Sequence, residues 1–392
     1  MAEEILLHKD KDMRLAKANS DKQPVQLDLL QMLVSDKYSN SVEFYQTLPD
    51  VFSWKQTKLR NLDGSLPALT RQGKYNDIPY ILDMSPAQLT VINNQTNKKW
   101  KKVYYKTVIA DFIEQALHKL SVEEWFFLKK DNIKTEEFGL ITTFYKIRDE
   151  LKRIWKSYSY EQIKDGISIL AWLRYELSGD ISKSYGIDSF FSPIDLIIKN
   201  DKKNPLHSEL YIAFNKLISK KILALDWRGF NYDEYMKVKT SFWRRLFMRL
   251  SHKFKQVDAI KGYHILLSTL ISDWDLQQEW LLTNIRDVNT GLKDCSFIID
   301  HYTCEKKYTI NPKTNRKIVS DYLITIFPTD TFQMEQWRIN THQKNIKNHR
   351  IDQKWKPVIK PLRDQYKTGH DYDRYVKDCD TFENAKEPLV NK

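Results

Sequence analysis

Residues 239–255, "KTSFWRRLFMRLSHKFK", carry large apolar side chains on one helical face and basic side chains on nearly all the rest. At about 3.6 residues per turn, a single stripe collects the apolar positions Trp243, Leu246, Phe247, Leu250 and Phe254. Outside it fall Arg244, Arg245, Arg249, His252, Lys253 and Lys255, with no acidic residue between them. A solvated helix surface usually mixes both signs of charge. The pattern predicts a helix that buries one face and offers a positive face to a partner.

The composition of the whole chain favours the same kind of partner. Its 392 residues are enough for two domains, and the formal net charge of +12 favours a polyanion, either nucleic acid or, less often, an acidic membrane surface. A basic but otherwise indifferent protein is the alternative. No signal peptide is evident, and nowhere do about 18 apolar residues follow one another, so we expect no membrane partner. With three cysteines and no CxxC spacing, we expect a cytoplasmic protein with reduced thiols.

The order of the predicted elements indicates an α+β fold of two tandem winged-helix domains. In each half, helices precede a strand, a polar loop and a second strand. The predicted helices cover residues 107–121, 142–154, 157–177, 239–255, 265–273 and 279–295. Strands are predicted within residues 80–93 (broken at Pro86), 181–199, 209–215, 297–304 and 321–327. The predicted divisions are a mobile N-terminal arm (1–38), winged-helix domain 1 (39–205), winged-helix domain 2 (206–340) and a basic C-terminal extension (341–392).

The predicted helix over residues 279–295 is the candidate for reading DNA bases. In a helix-turn-helix, the second of two consecutive helices enters the major groove. The inner face here consists of Leu281, Ile285, Val288, Leu292 and Cys295. The opposite face presents the predicted base-reading residues Thr283, Arg286, Asp287, Thr290 and Lys293. Arginine suits guanine O6 and N7, and threonine suits a thymine methyl or a phosphate. An ordinary amphipathic helix with solvated polar residues would show the same pattern.

Basic residues elsewhere are predicted to contact the DNA backbone, because lysine and arginine neutralise phosphates. In the second half they are Arg244, Arg245, Arg249, Lys253, Lys306, Lys307, Lys313, Arg316 and Lys317. A second DNA site in the first half would use Lys98, Lys99, Lys101, Lys102, Lys164 and Ser168. A solvated charged turn and a packing or dimer-forming helix are the competing interpretations of that second set.

Searches for catalytic patterns exclude several classes of enzyme. The chain has no GxxxxGK nucleotide loop, no GxSxG, and no two histidines at a spacing of two, three or four. The missing histidine pair argues against a metal-dependent peptidase and against a rolling-circle nickase. We therefore expect no enzymatic activity, no metal and no cofactor.

Two stretches of the chain resemble bacterial plasmid replication initiators. The first stretch is residues 214–254 with the following "GYHILLSTLISD". It is similar to a pattern of this family, in which a strand leads into an R-x-F/Y-N-Y segment, a helix of the form R-L-x-x-R-L-S-H-x-F and a short helix. The matching residues are Arg228, Phe230, Asn231, Tyr232, Arg245, Leu246, Arg249, Leu250, Ser251, His252 and Phe254. Residues 102–121 also resemble these proteins, which often have proline where Lys106 stands. The likeness spans roughly residues 78–335 and reaches neither the N-terminal arm nor the C-terminal extension.

The resemblance implies an initiator of theta-type plasmid replication. Such a protein binds direct repeats (iterons) in double-stranded origin DNA through two winged helices, promotes opening of an AT-rich segment, and helps to recruit the host initiator and the replicative helicase. In the family, dimers often repress the protein's own promoter while monomers act at the origin, so the implied partners include a homodimer. A winged-helix transcriptional regulator without an initiator role and a DNA-coating protein without sequence preference would use similar surface chemistry.

Overall fold

The structure is a computed structural model that contains both helices and antiparallel sheets, which confirms the α+β class. It describes residues 37–48, 65–76, 78–92, 99–123, 125–129, 136–185, 190–199, 201, 203–224, 226–255, 261–273, 285–310 and 315–353. The predicted arm up to residue 36 and residues 354–392 of the predicted extension lie outside the described residues.

The described residues form helices and strands that are mixed along the chain. The helices are α1 (Glu43–Thr47), α2 (Val108–Glu123), α3 (Phe144–Arg153), α4 (Tyr160–Trp172), α5 (Asp180–Tyr185), α6 (Lys216–Leu223), α7 (Tyr232–Lys237), α8 (Ser241–Lys253), α9 (Leu267–Asp273), α10 (Ile285–Asp294) and α11 (Asp330–Gln353). The strands are β1 (Tyr38–Ser41), β2 (Leu69–Tyr75), β3 (Ile78–Ser85), β4 (Ala87–Ile92), β5 (Lys99–Tyr104), β6 (Trp125–Lys129), β7 (Glu136–Thr143), β8 (Arg174–Ser178), β9 (Phe190–Phe191), β10 (Ile194–Lys199), β11 (Glu209–Phe214), β12 (Arg228–Asn231), β13 (Tyr263–Leu266), β14 (Ile299–Ile310) and β15 (Lys317–Pro328).

The first half places three helices against an antiparallel sheet. Helix α2 leads into β6 and β7, helices α3 and α4 follow, and β10 and β11 complete a sheet in the order β10-β11-β7-β6. The start of α4 agrees with the sequence, because the Ser159 side chain and Gln162 form a reciprocal capping box. Ile113, Leu117 and Ile147 are among the side chains that fill the core between these helices. With β6, β8, α5 and β9 as additional elements, the order in this half is one helix (α2), one strand (β7), two helices (α3 and α4) and two strands (β10 and β11).

The second half repeats that order. Helix α8 is followed by β13, α9 and α10, and then by β14 and β15, which form a sheet in the order β13-β15-β14. The apolar stripe predicted for α8 is confirmed, because all five of its side chains are buried: Trp243, Leu246, Phe247, Leu250 and Phe254. The Thr240 side chain caps the start of the helix by accepting from the Trp243 N–H.

Several elements differ from the sequence prediction, and at two helix boundaries the reason is that sheet pairing overrides helical periodicity. The helix predicted to reach residue 177 ends at Trp172, since residues 174–178 form β8 and pair with β3. Residues 180–185, predicted as part of a strand, form α5. The short helix predicted from residue 265 begins at Leu267, because β13 pairs with β15. The predicted break at Pro86 is confirmed, as it separates β3 from β4.

The segment after the predicted arm packs on the second half. Strand β1 pairs antiparallel with β12, so Tyr38, the last residue of the predicted arm, lies opposite Asn231. Helix α1 then lies on α8, where Glu43 forms ion pairs with Lys253 and Lys255 at 2.6 and 3.2 Å. Residues 38–48 therefore add a cover to the downstream core, although their place in the sequence is upstream of the first sheet.

Helix α11 crosses the predicted boundary at residue 340 and continues to Gln353. The sequence offers no helical apolar stripe over residues 342–353. The helix docks through the buried Phe332 and Ile339 of its first part and through a set of polar contacts. The buried Arg228 guanidinium donates to Gln343 Oε1 at 3.0 Å, to Asn340 Oδ1 at 2.9 Å, and to Gln336 Oε1. Its Nε also donates to the Ser251 carbonyl at 2.6 Å. One buried cation thus joins β12, α8 and α11 without the periodic apolar pattern that a sequence search detects.

Candidate nucleic-acid interface

Helix α10 presents a polar face that agrees with the sequence prediction where its side chains are described. Val288, Leu292 and Cys295 are buried, while Thr290 and Lys293 are exposed. Thr283 lies outside the described residues, as do the side chains of Arg286 and Asp287, although both residues belong to the helix. Their assignment to base reading stays a prediction.

The β14–β15 hairpin carries the basic residues predicted to contact DNA between residues 306 and 317, called the wing cations below. Lys306, Lys307 and Lys317 lie on its paired strands, and Arg316 directly precedes β15. Lys306, Lys307, Arg316 and Lys317 are exposed, and Lys313 lies outside the described residues. The expected polar loop over residues 305–320 is shorter than predicted, because the pairing continues to Ile310 opposite Lys317. At the base of the hairpin, Asp321 accepts from the Ser268 backbone N–H at 3.1 Å and from its hydroxyl. The cations are therefore held on a ribbon that is anchored to α9.

Arg244 does not lie on a DNA-facing surface, so its predicted backbone contact is wrong. The side chain is 0% exposed, and its Nη2 lies 3.1 Å from Asp111 Oδ2 of α2. Its Nη1 donates to the carbonyl of Val238 at 3.1 Å, and the guanidinium sits 4.3 Å from the centre of the Phe112 ring. Helix α2 covers this side of α8 and supplies the counter-charge. A helical wheel drawn from α8 alone shows only one apolar stripe and misses this second contact.

The Arg244–Asp111 pair belongs to a buried cluster of four charges. Lys106 Nζ lies 3.3 Å from Asp111 Oδ1 and 2.5 Å from Glu114 Oε2, and Tyr45 donates to Glu114 Oε1 at 2.5 Å. Two cations and two carboxylates balance one another away from water, as buried ions must. The lysine that stands where the resembling initiators often have proline thus has a packing role here.

The remaining basic edge of α8 borders a cleft of about 870 Å³ between α8, α1 and the β2–β3 hairpin. Arg245 lines it and donates to the Leu48 carbonyl at 2.6 Å, and Arg249 donates to the Tyr263 hydroxyl at 3.1 Å. Lys253 also lines the cleft, with Glu43 beside it. Burial opposes ionisation of Glu43, but Lys253 and the nearby positive groups hold its pKa below the usual value. These three cations keep their place near the surface, although each also has a partner in the protein.

His252 is buried although the helical pattern places it outside the apolar stripe. Its Nε2 lies 2.8 Å from Ser41 Oγ of β1. Burial lowers its pKa to about 3, so the imidazole is neutral near pH 7. The β1–β12 ribbon covers this side of α8, and the histidine therefore adds no positive charge to the surface.

The proposed second site is assembled from two adjoining elements of the first half. Strand β4 packs on α4, and both Lys102 of β5 and Lys164 of α4 act electrostatically on Asp165. Burial raises the pKa of Asp165 above its usual value, and the nearby negative charge of Glu161 raises it further. Lys101 is exposed, and Ser168 is half-buried. Lys98 and the Lys99 side chain lie outside the described residues. The lysines thus share this surface with acidic groups.

The sequence interpretation did not single out the apolar side chains near the end of the hairpin. Tyr308, Ile310 and Ile318 are exposed and lie next to basic residues along the two strands. The available signal was the spacing "KKYTI", which places large apolar residues beside lysines within one strand. Within the described ranges, no group of three or more His, Cys, Asp and Glu side chains is placed to hold a metal ion. None of the described helices is long and apolar enough to span a membrane.

No known protein-family model matches the chain, and no curated protein matches it either. Solved structures match at low identity. A structure of selenomethionine derivatives of domains 2 and 3 of RctB shares 11% identity, covering 68% of this chain and 94% of the other, with a TM-score of 0.38. A second structure of RctB domains 2–3 gives 12% identity, 69% and 94% coverage, and a TM-score of 0.38.

A further match is the crystal structure of the Pi initiator protein in complex with iteron DNA. It shares 12% identity, covers 57% of this chain and 91% of the other, and has a TM-score of 0.39. Because fold does not determine function, the exposed side chains have to indicate what this chain binds.

Proposed function

We propose that this protein is a plasmid replication initiator that binds direct repeats (iterons) in double-stranded DNA through two tandem winged-helix domains. The observation that carries the proposal is the order helix, strand, helix, helix, strand, strand, which the first half contains together with the additional elements β6, β8, α5 and β9. In the second half this order ends with a hairpin of exposed cations. That order is the one expected of a winged helix. The cations of the hairpin suit the phosphates on either side of a bound groove.

In the proposed complex, α10 enters the major groove. The exposed Thr290 and Lys293 lie on the face opposite the buried Val288 and Leu292, as a reading helix requires. The remaining members of the proposed base-reading set are Thr283, Arg286 and Asp287. Arginine can bond guanine twice, so Arg286 is the proposed principal reader.

The proposed backbone contacts come from the hairpin and from the edge of α8. On the hairpin they are Lys306, Lys307, Lys313, Arg316 and Lys317, and on α8 they are Arg245, Arg249 and Lys253. Ion pairs inside the protein reduce the share of Lys253, because Glu43 already neutralises it. We assign the first half a secondary role, since Glu161 and Asp165 lie among its lysines. That role is a weaker backbone contact through Lys98, Lys99, Lys101, Lys102, Lys164 and Ser168, or pairing with a second copy.

The junction between the halves favours an initiator over a one-domain regulator. The buried charges of Arg244 and Asp111 join α8 to α2, so that two DNA-binding units would meet the duplex in a defined relation. Recruitment of the host initiator and helicase, a homodimer that represses transcription, and a place in the bacterial cytoplasm complete the proposal. These follow from the sequence resemblance.

The decisive experiment is DNA binding by the full chain. Fluorescence anisotropy would compare a duplex carrying the direct repeats found beside the gene with a scrambled duplex of equal composition. We expect the repeats to bind at least about 1,000-fold more tightly. We also expect log K to fall steeply with log salt, by about 0.9 for each phosphate contact. Equal affinity for both duplexes would indicate a DNA-coating protein, and binding confined to promoter DNA would indicate a transcriptional regulator.

A further inference from the structure

The far part of the β14–β15 hairpin exposes three large apolar side chains. Tyr308 is 56% exposed, Ile310 is 61% exposed and Ile318 is 46% exposed. The strand register places Tyr308 opposite Val319, Thr309 opposite Ile318, and Ile310 opposite Lys317. Directly paired residues share a face of the ribbon, and successive residues alternate. Tyr308 and Ile310 therefore form an apolar ridge on one face, while Ile318 lies on the other.

Folding of the hairpin does not require this ridge. The base of the ribbon is fixed by the buried Ile324 and Ile326 and by the bonds between Asp321 and Ser268. The ridge lies beyond that base, where threonine or lysine would pair equally well across the strands. Exposed apolar residues on a strand pair favour aggregation, and proteins usually avoid them. A partner that covers the ridge would account for it.

The surroundings of the ridge match the cross-section of a nucleic-acid duplex. Four exposed cations flank the ridge: Lys306, Lys307, Arg316 and Lys317. Among residues 305–310 and 315–319, Glu305 is acidic, and its carboxylate lies 3.7 Å from Lys307 Nζ. A partner that fits has anionic groups on the outside and an apolar stack inside, which describes DNA phosphates and bases. An acidic lipid surface shares part of this chemistry. DNA is favoured because α10 in the same half presents Thr290 and Lys293 on an exposed helical face.

On the premise of the proposed function, we propose that Tyr308 and Ile310 enter the minor groove beside the bound repeat and wedge between two base pairs. Lys306 and Lys317 then meet the phosphates that border the groove. The minor groove of B-DNA is only about 6 Å wide, so apolar side chains that enter it widen it, unstack a base step and bend the duplex. Because TA steps unstack most easily, an AT-rich segment next to a repeat is the expected site. The ridge thus couples binding of the repeat to distortion of neighbouring DNA.

The test uses the full chain and a duplex with one repeat, in which 2-aminopurine replaces adenine at a flanking TA step. Unstacking raises 2-aminopurine fluorescence, and anisotropy on the same duplex reports binding. We expect wild-type protein to raise the fluorescence several-fold, and the double variant Tyr308→Ser/Ile310→Ser to lose most of that rise while its affinity falls by less than about tenfold. Ile310→Leu should retain the rise. Met334→Ser, which alters a similarly exposed apolar residue on α11, is the matched control and should behave as wild type.

The outcomes separate the wedge from the proposed function. If wild-type protein binds the repeat and the fluorescence does not rise, or if the double variant keeps the full rise, the wedge is overturned while DNA binding stands. If wild-type protein binds the repeat and the scrambled duplex with equal affinity, the proposed function itself is overturned. Vesicles containing about one-third phosphatidylserine test binding to an acidic lipid surface. Vesicle binding that is lost in Tyr308→Ser/Ile310→Ser but kept in Met334→Ser would assign the ridge to lipid and overturn the DNA wedge.

Discussion

Arg244 of α8 and Asp111 of α2 form a buried ion pair, with 3.1 Å between Nη2 and Oδ2, that connects the two halves of the chain. The residues are 133 positions apart in the sequence, and both side chains are shielded from water. A charge in this position is stable only while its partner and its hydrogen bonds stay in place. The pair therefore fixes the relation between the helices that open the two repeated element orders.

Asp111→Asn should destabilise the protein strongly, because it leaves the Arg244 guanidinium buried with no carboxylate of its own. Removing one partner of a buried pair typically costs about 3–5 kcal/mol in the free energy of unfolding. Urea unfolding at neutral pH measures it. The double variant Asp111→Leu/Arg244→Met, which removes both charges, should lose less than Asp111→Asn. A loss below about 1 kcal/mol in Asp111→Asn would show that the pair does not hold the junction.

Gly291→Ala should destabilise α10, although alanine usually favours a helix by about 1 kcal/mol over glycine. A Cβ on Gly291 would lie 1.5 Å from Cε2 of the Trp243 indole, so α10 has to move away from α8. We expect a loss of about 1–3 kcal/mol on unfolding and weaker binding to the repeat. Adding Trp243→Leu to Gly291→Ala makes room for the new methyl and should restore stability relative to Trp243→Leu alone. An increase in stability of Gly291→Ala by itself would contradict this packing.

The free energy of unfolding should decrease as the pH falls below about 6.5. Burial lowers the pKa of His118 and of His252 from 6.5 to about 3. Between these pH values the unfolded chain binds more protons than the folded chain, so acid favours unfolding by up to about 1.4 kcal/mol per pH unit for each histidine. The stability contributed by the neutral imidazoles is fully present above pH 6.5 and disappears towards pH 3.

Urea unfolding between pH 6.5 and pH 5 measures this dependence. Burial raises the pKa of the Glu335 carboxyl to about 7, so this group favours the folded state as the pH falls and offsets part of the effect of the histidines. His252→Asn keeps a donor near Ser41 Oγ and removes one titrating group, so it should reduce the slope by up to about 1.4 kcal/mol per pH unit. An unchanged slope would show that His252 is protonated in the folded protein.

The base-reading and phosphate-contacting assignments predict different binding defects. Arg286→Ala should cost about 1–3 kcal/mol on the cognate repeat and little on scrambled DNA, because the side chain bonds a specific base edge. Lys307→Ala should weaken binding to both duplexes about equally and reduce the salt slope by about one. Anisotropy titrations of both variants on both duplexes decide between the roles. An equal loss on both duplexes for Arg286→Ala would transfer base reading to α4, around Lys164 and Ser168.

The sequence by itself determined the elements whose signal is local. The stripe of α8 depends on residues a few positions apart, and it appears where the pattern predicts it. The hairpin cations were also found from the sequence, because an exposed charge needs no distant partner to stay at the surface. The α+β class follows from the same local signals.

Tertiary structure decided which polar residues of those elements are buried and where several elements end. A helical wheel records one apolar stripe, yet α8 is also covered by α2 at Arg244 and by β1 at His252. Residues 174–178 become a strand because β3 is there to pair with them, and α11 docks through the bonds of Arg228 in addition to its buried Phe332 and Ile339. In each case the counter-charge, the hydrogen-bond partner or the neighbouring strand comes from a distant part of the chain, and local periodicity carries no information about it.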